Sequence, residues 1–142
     1  MIITSAGNVG VGSTTPNTQL NVSGKIPIAA ISTTGIPDNP SALYVQGKYA
    51  YTVAFTTGTL VITDVSDPIN PFIVSTTGTG TNPVYVRVNG NLAYVTNYGS
   101  NTIKILNISN PTKPVDVGSV ATLTSPRRTY VQGRYLYVPN LG

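Results

Sequence analysis

A repeat with a spacing of 43 residues is the feature that most constrains how this chain can fold. The segment GKYAY at 47–51 returns as GNLAY at 90–94 and as GRYLY at 133–137. Three prolines follow the same spacing, namely Pro40, Pro83 and Pro126. Because several landmarks keep one register, the chain is a tandem array of one structural unit.

Each copy contains four short runs of strand-forming residues separated by turn residues. In the first full copy the predicted strands are 43–46, 49–55, 60–64 and 72–75. The second run is apolar on both alternating faces, as expected of a strand that neighbouring sheets cover on both sides. Four strands per repeat of this length are typical of a β-propeller blade. We therefore predict an all-β fold of four-stranded antiparallel blades.

The repeat divides the chain into a leader and a propeller-forming part. The leader is 1–27, and the copies are 28–70, 71–113 and a partial 114–142. This amounts to about 2.7 blades, whereas closed propellers have about four to eight. We therefore expect the ring to be incomplete in a single chain, and to be closed by further sequence or by other chains.

The third predicted strand of the first copy reads LVITD at 60–64 and continues as VSDP at 65–68. This sequence, with YVQGKYAY at 44–51 before it, resembles the LVIVD repeat, a propeller-forming repeat named after its third strand. The resemblance covers 28–142, although the second copy reads IKILN at 103–107 and the third ends before the motif. It implies a propeller fold and a surface setting, and it implies no reaction.

The leader resembles a different kind of protein. Residues 5–24, SAGNVGVGSTTPNTQLNVSG, are similar to a glycine-rich segment of phage tail fibres and large bacterial surface proteins. In those fibres the segment forms trimers around a common axis. The resemblance therefore implies a homo-oligomer, with a trimer expected, at an extracellular surface or on a virion. The alternative is a flexible linker rich in Gly, Ser and Thr.

Composition excludes several kinds of chemistry. The chain has no cysteine and no histidine, which excludes disulfides, thiolate metal sites and a histidine general base. The net charge of +4 is scattered, with only Arg127 and Arg128 adjacent, so we expect no nucleic-acid partner. No apolar run approaches the roughly 18 residues of a membrane span, and no signal peptide is visible. We expect no cofactor and no membrane insertion.

The carboxylates are few, namely Asp38, Asp64, Asp67 and Asp116. Asp64 and Asp67 align with asparagines at 107 and 110 in the next copy, which predicts side-chain-to-backbone hydrogen bonds in a turn. Glycoside hydrolysis needs two carboxylates across one cleft. We therefore predict that the protein is not an enzyme, and a glycan-processing enzyme is the least favoured alternative.

Candidate ligand-binding residues lie in the loops before the first strand and between the second and third strands, which a propeller brings to one face. They are Asp38, Asn39, Asn82, Asn97, Tyr98, Asn101, Arg127 and Arg128. Amides and an aromatic ring suit sugars, and the arginine pair suits the carboxylates of acidic glycans. The alternative is that the asparagines only form turns. The arginine pair is the sharper signal because the equivalent positions hold Ser41-Ala42 and Val84-Tyr85.

Two functions remain open at this stage. The first is a non-catalytic structural and adhesive component of a viral or bacterial surface fibre, which binds a surface glycan or a protein receptor through its propeller loops. The second is a general protein-interaction propeller whose ring is completed by further sequence and whose leader is a linker. The first predicts a stable homo-oligomer, and the second does not.

Overall fold

The computed structural model describes residues 2–3, 9–11, 20–22, 32–36 and 38–141. The chain forms two compact units, 1–31 and 32–142. In the first unit, β1 (Ile2–Ile3) pairs antiparallel with β2 (Val9–Val11), and β2 pairs in parallel with β3 (Leu20–Val22). The rest of the predicted leader lies outside the described residues.

The second unit contains two four-stranded antiparallel sheets, which confirm the predicted fold class. The strands of the first sheet pair in chain order: β4 (Pro40–Gln46), β5 (Tyr49–Ala54), β6 (Thr59–Asp64) and β7 (Phe72–Gly78). Those of the second are β8 (Pro83–Asn89), β9 (Leu92–Asn97), β10 (Thr102–Asn107) and β11 (Val115–Ala121). A two-stranded sheet of β12 (Tyr130–Gln132) and β13 (Tyr135–Tyr137) follows. Among the residues that the structure describes, no helix has the length and apolarity to cross a membrane.

Bulges recur at the repeat spacing. The first strand of each four-stranded sheet carries one extra residue, Ser41 in β4 and Val84 in β8. The fourth strand does the same, with Val74 in β7 and Val117 in β11. A bulge bends its strand and increases the local twist. The two sheets therefore have the same shape as well as the same strand order.

The hydrophobic core lies between the two four-stranded sheets. Every residue of β5 after Tyr49, and every residue of β6 after Thr59, is buried. This confirms that the second predicted strand is covered on both faces. The core side chains are Tyr51, Val53, Leu60 and Ile62 of the first sheet and Val86, Val88, Ala93, Val95, Leu106 and Ile108 of the second repeat.

A hydroxyl-to-carbonyl hydrogen bond joins successive repeats. Ser75 Oγ donates to the Pro111 carbonyl at 2.7 Å. One repeat earlier, Ser32 Oγ donates to the Pro68 carbonyl. The two pairs are related by the same 43-residue offset, so the contact between repeats is itself repeated.

The turn between the third and fourth strands is fixed by carboxylate or amide side chains, as predicted. Asp64 Oδ1 accepts from the Ser66 backbone N–H at 2.9 Å and from its hydroxyl at 2.5 Å. Asp67 accepts from the Ile69 N–H at 2.9 Å and from the Asn70 amide at 2.8 Å. In the second copy the amide oxygens of residues 107 and 110 accept the corresponding backbone N–H groups at 2.9 Å and 3.2 Å.

We expect Leu60→Ala to lower the free energy of unfolding by about 3 kcal/mol, because it leaves a cavity between the sheets. Leu60 is 0% exposed, whereas Leu43 in β4 is 62% exposed. The matched variant Leu43→Ala should change stability by less than about 0.5 kcal/mol. Urea unfolding measures both, and similar losses in the two variants would show that the core does not lie where the structure places it.

The same turn predicts how stability depends on pH. The hydroxyl and N–H of Ser66 lower the pKa of Asp64, and the Asn70 amide and Ile69 N–H lower that of Asp67. Their contribution to stability is complete above about pH 4 and is lost as the pH falls through the folded-state pKa. The melting temperature should therefore fall below pH 4, and less steeply in Asp64→Asn/Asp67→Asn. The reciprocal variant Asn107→Asp/Asn110→Asp should fall more steeply, and parallel curves for all three proteins would contradict the assignment.

Candidate binding site

Hydrogen bonds tie the loops at one end of the sheets into a single surface. The N–H groups of Tyr98 and Gly99 donate to the carbonyls of Asn82 and Thr81, each at 3.0 Å. We call this surface, formed by 55–58, 79–82, 98–101 and 122–129, the loop face. The loop before β8 and the loop between β9 and β10 therefore meet, and the Thr79 N–H joins them to the Gly58 carbonyl of the preceding repeat at 2.8 Å.

On the loop face, the side chain of Arg127 lies over the ring of Tyr98. The guanidinium carbon of Arg127 lies 4.8 Å from the centroid of the Tyr98 ring. Arg127 and Arg128 are both exposed, and Tyr98 is half-buried. No carboxylate among the described residues lies within ion-pair distance of either arginine. Arg127 and Tyr98, two of the predicted residues, thus lie together, and Arg128 is exposed at the adjacent position.

The segment that carries the arginines is anchored at both ends. On one side, Pro126 is buried and forms a β-bridge with Asn140, and the Arg127 N–H donates to the Pro139 carbonyl at 2.9 Å. On the other side, the buried hydroxyls of Thr129 and Thr96 are 2.6 Å apart. The backbone is therefore held while the two guanidinium groups remain at the surface.

Three of the other candidates have left-handed backbone conformations, with φ of 65° at Asp38, 50° at Asn82 and 54° at Asn101. Asn101 occupies the position of Gly58, whose φ is 68°. Asn and Asp tolerate this region better than most residues, so all three suit tight turns. The Asn101 amide oxygen also accepts the Ser125 N–H at 2.9 Å. These observations support the turn-forming interpretation at the three positions.

Asn97 and Asn39 differ in how far they can reach a ligand. Asn97 is 0% exposed, and its amide nitrogen donates to the Thr79 carbonyl at 3.1 Å and to the Thr102 hydroxyl at 3.2 Å. Its side chain therefore supports the loop face from below, in contrast with the expected loop contact. Asn39 is exposed, and its carbonyl accepts the Phe55 N–H at 2.8 Å.

The absence of a side chain at Gly80 leaves room for the Asn97 amide beneath the loop face. A Cβ atom at Gly80 would lie 2.7 Å from the amide nitrogen of Asn97, so any other residue there would force the buried Asn97 amide to shift. The loop before β8 therefore approaches the end of β9 more closely than a side chain at that position would permit.

The sequence reasoning missed Arg87. Tyr44, Arg87 and Tyr130 occupy the same repeat position in β4, β8 and β12. The guanidinium carbon of Arg87 lies 5.0 Å from the Tyr44 ring centroid and 5.6 Å from that of Tyr130. Its Nε is buried and has no hydrogen-bond acceptor among the described residues. The signal was an arginine standing where both neighbouring copies have tyrosine.

The opposite end of the sheets carries a groove of about 410 Å³ between the two repeats, lined in part by Gln46, Lys48, Tyr49, Gly90 and Pro111. The Lys48 ammonium lies 5.2 Å from the Tyr49 ring centroid and 3.5 Å from Asp64.

The last of the predicted carboxylates, Asp116, is paired with Lys104, whose ammonium donates a hydrogen bond to it and lowers its pKa. Among the described residues, no three acidic side chains are grouped to hold a metal ion.

A comparison with known protein families agrees with the two four-stranded sheets described above. The LVIVD repeat matches at residues 39–79 and 84–122, which coincide with the two four-stranded sheets except for Pro83 at the start of β8. No curated protein matches the chain.

Solved structures with a similar fold include the following two proteins. A functionally unknown protein from Desulfotomaculum acetoxidans has a TM-score of 0.70 and 23% identity over 77% of this chain and 37% of its own. A putative 6-phosphogluconolactonase from Bacteroides fragilis has a TM-score of 0.66 and 20% identity over 71% of this chain and 32% of its own. The chain spans about a third of each, and at these identities the likeness concerns the fold alone. Because the repeat matches more than half of the sequence and coincides with the sheets, the chain belongs to the LVIVD repeat family.

Proposed function

We propose that this chain is a non-catalytic binding module whose loop face recognises acidic glycans through Arg127 and Arg128. The observation that carries the proposal is the stacking of Arg127 on Tyr98 at 4.8 Å. A guanidinium that stacks on a ring keeps its in-plane N–H donors available for a bidentate contact with a carboxylate. An aromatic ring beside it offers a surface for a sugar ring.

Preorganisation supports the same role. The backbone around Arg127 is held by the hydrogen bond from its N–H to the Pro139 carbonyl and by the buried hydroxyl contact between Thr96 and Thr129. Binding then orders only two side chains and no loop, which reduces the entropic cost of association. A second arginine at 128 adds charge without a carboxylate of the chain to compete for it among the described residues.

The carboxylates favour binding over catalysis. Asp64 and Asp67 are engaged in the turn after β6, and Asp116 is paired with Lys104. Glycoside hydrolysis would require two carboxylates free to act across one cleft. The Bacteroides fragilis protein contributes no argument for an enzyme because its likeness is confined to the fold.

We further propose that the module belongs to a surface fibre of a virus or a bacterium and functions as a homo-oligomer, with a trimer expected. The leader resemblance at 5–24 supports this setting. The described part of the leader contains a parallel pair, β2 with β3, in which Val9 faces Leu20 in register. A general protein-interaction propeller, completed by further sequence, is the alternative, and it is favoured by the small share of each similar structure that this chain spans.

The glycan proposal predicts that Arg127→Ala lowers the affinity for a galacturonate tetrasaccharide at least tenfold, because a charge-assisted hydrogen bond contributes about 1.5–3 kcal/mol. Arg128→Ala should also weaken binding. Calorimetric titration measures the affinity, with neutral cellotetraose as the control ligand. Arg134→Ala is the matched control variant, since Arg134 also stacks on a tyrosine, at 5.8 Å, but lies at the other end of β12. Equal losses of affinity in all three variants would show that binding depends only on net charge and would contradict a specific role for Arg127 and Arg128.

The fibre proposal predicts that the full chain has the mass of three chains by light scattering after size exclusion. Leu20→Asp should shift that mass toward one chain because it replaces an apolar residue of β3 with a charged one, whereas Asn21 in the same strand is already polar. Asn21→Asp changes the charge equally at the adjacent position and should leave the mass unchanged. A monomeric wild-type chain would exclude the trimer and favour the alternative propeller.

A further inference from the structure

We propose that Arg87 is the centre of a second binding site, separate from the loop face, which takes the carboxylate of an acidic sugar. The site consists of Arg87 in β8 between Tyr44 in β4 and Tyr130 in β12. It does not depend on the proposed role of Arg127 and Arg128.

The two rings determine which part of Arg87 is available. Both ring centroids lie within 6 Å of the guanidinium carbon, at 5.0 Å and 5.6 Å. Nε is buried without an acceptor among the described residues, although Arg87 as a whole is only half-buried. None of the hydrogen bonds between described side chains uses Arg87. The terminal pair is therefore the edge that a ligand can reach.

The charge at this position is not neutralised within the described part of the chain. The ion pairs there are those of Lys48 with Asp64 and of Lys104 with Asp116, and Arg87 takes part in neither. Tyrosine rings attract a cation but carry no negative charge of their own. A carboxylate has two oxygens spaced to accept from both terminal nitrogens of one guanidinium. A carboxylate is therefore the group that completes this site.

The repeat indicates that the charge is not needed for packing alone. The neighbouring copies have tyrosine at the same position, and Tyr130 is 55% exposed. The phenol hydroxyls on either side can hydrogen-bond the hydroxyls of a sugar, as the carboxylate binds between them. Glucuronate, which carries both kinds of group on one ring, is thus the simplest probe.

The test follows the Nε–H resonance of Arg87 by NMR during a titration of the ¹⁵N-labelled full chain with sodium glucuronate. Because this nitrogen is buried, its proton exchanges slowly enough to be observed. We expect a saturable shift with glucuronate and none with glucose. The shift should persist in Arg127→Ala/Arg128→Ala, which separates this site from the loop face.

Arg87→Tyr is the matched variant because it restores the residue found in both neighbouring copies. It should fold with the wild-type melting temperature, lose the resonance and bind glucuronate at least tenfold more weakly by calorimetry. Arg87→Lys keeps the charge but loses the bidentate donor, so it should also weaken glucuronate binding. This variant tests the proposal if Arg87→Tyr fails to fold. Equal shifts with glucose or with sodium chloride, or glucuronate binding that survives both substitutions, would overturn the proposal.

Discussion

Burial of the middle strands on both faces is the constraint on which the rest of this structure depends. Val53 and Leu60 are 0% exposed, and they pack against Val86 and Val95 of the following sheet. A strand that is apolar on both sides cannot remain at the surface of a single sheet. Successive sheets must therefore stack, and each repeat is stable only in the presence of its neighbours.

Stacking places equivalent positions of successive repeats side by side. This is why Ser32 with Pro68 and Ser75 with Pro111 form the same contact, and why residues 44, 87 and 130 form a row. A residue that differs from its equivalents is then flanked, on either side, by the residues that the neighbouring copies have at that position. Arg87 between two tyrosines is such a change, and so is the pair Arg127-Arg128 in place of small or apolar residues. In this fold, positions that depart from the repeat are the natural places for recognition.

The sequence predicted the strands, the turns and the burial of the second strand, and it missed the individual side-chain contacts between copies. Strand order, the blade and the Asp64 turn follow from alternation and turn chemistry, which act within about ten residues. The bulge at Ser41 leaves no mark on the alternation. Asn97 was placed in a loop because it precedes one, yet it ends β9 and is buried beneath Gly80. The stacking of Arg127 on Tyr98 joins two repeats and could not be read from either alone.

The two kinds of cation in this chain are used differently. Lys48 and Lys104 are paired with Asp64 and Asp116, so their charges are largely compensated within the fold. Arg87, Arg127 and Arg134 lie over tyrosine rings and take part in neither ion pair, whereas Lys48 both pairs with Asp64 and lies over the Tyr49 ring. An ion pair offsets the charge of a lysine, whereas stacking covers the face of a guanidinium and leaves its edge donors unused. Among the described residues, the arginines that lie over tyrosine rings therefore keep edge donors that neither ion pair uses, and arginine is the side chain best suited to hold a carboxylate in one orientation.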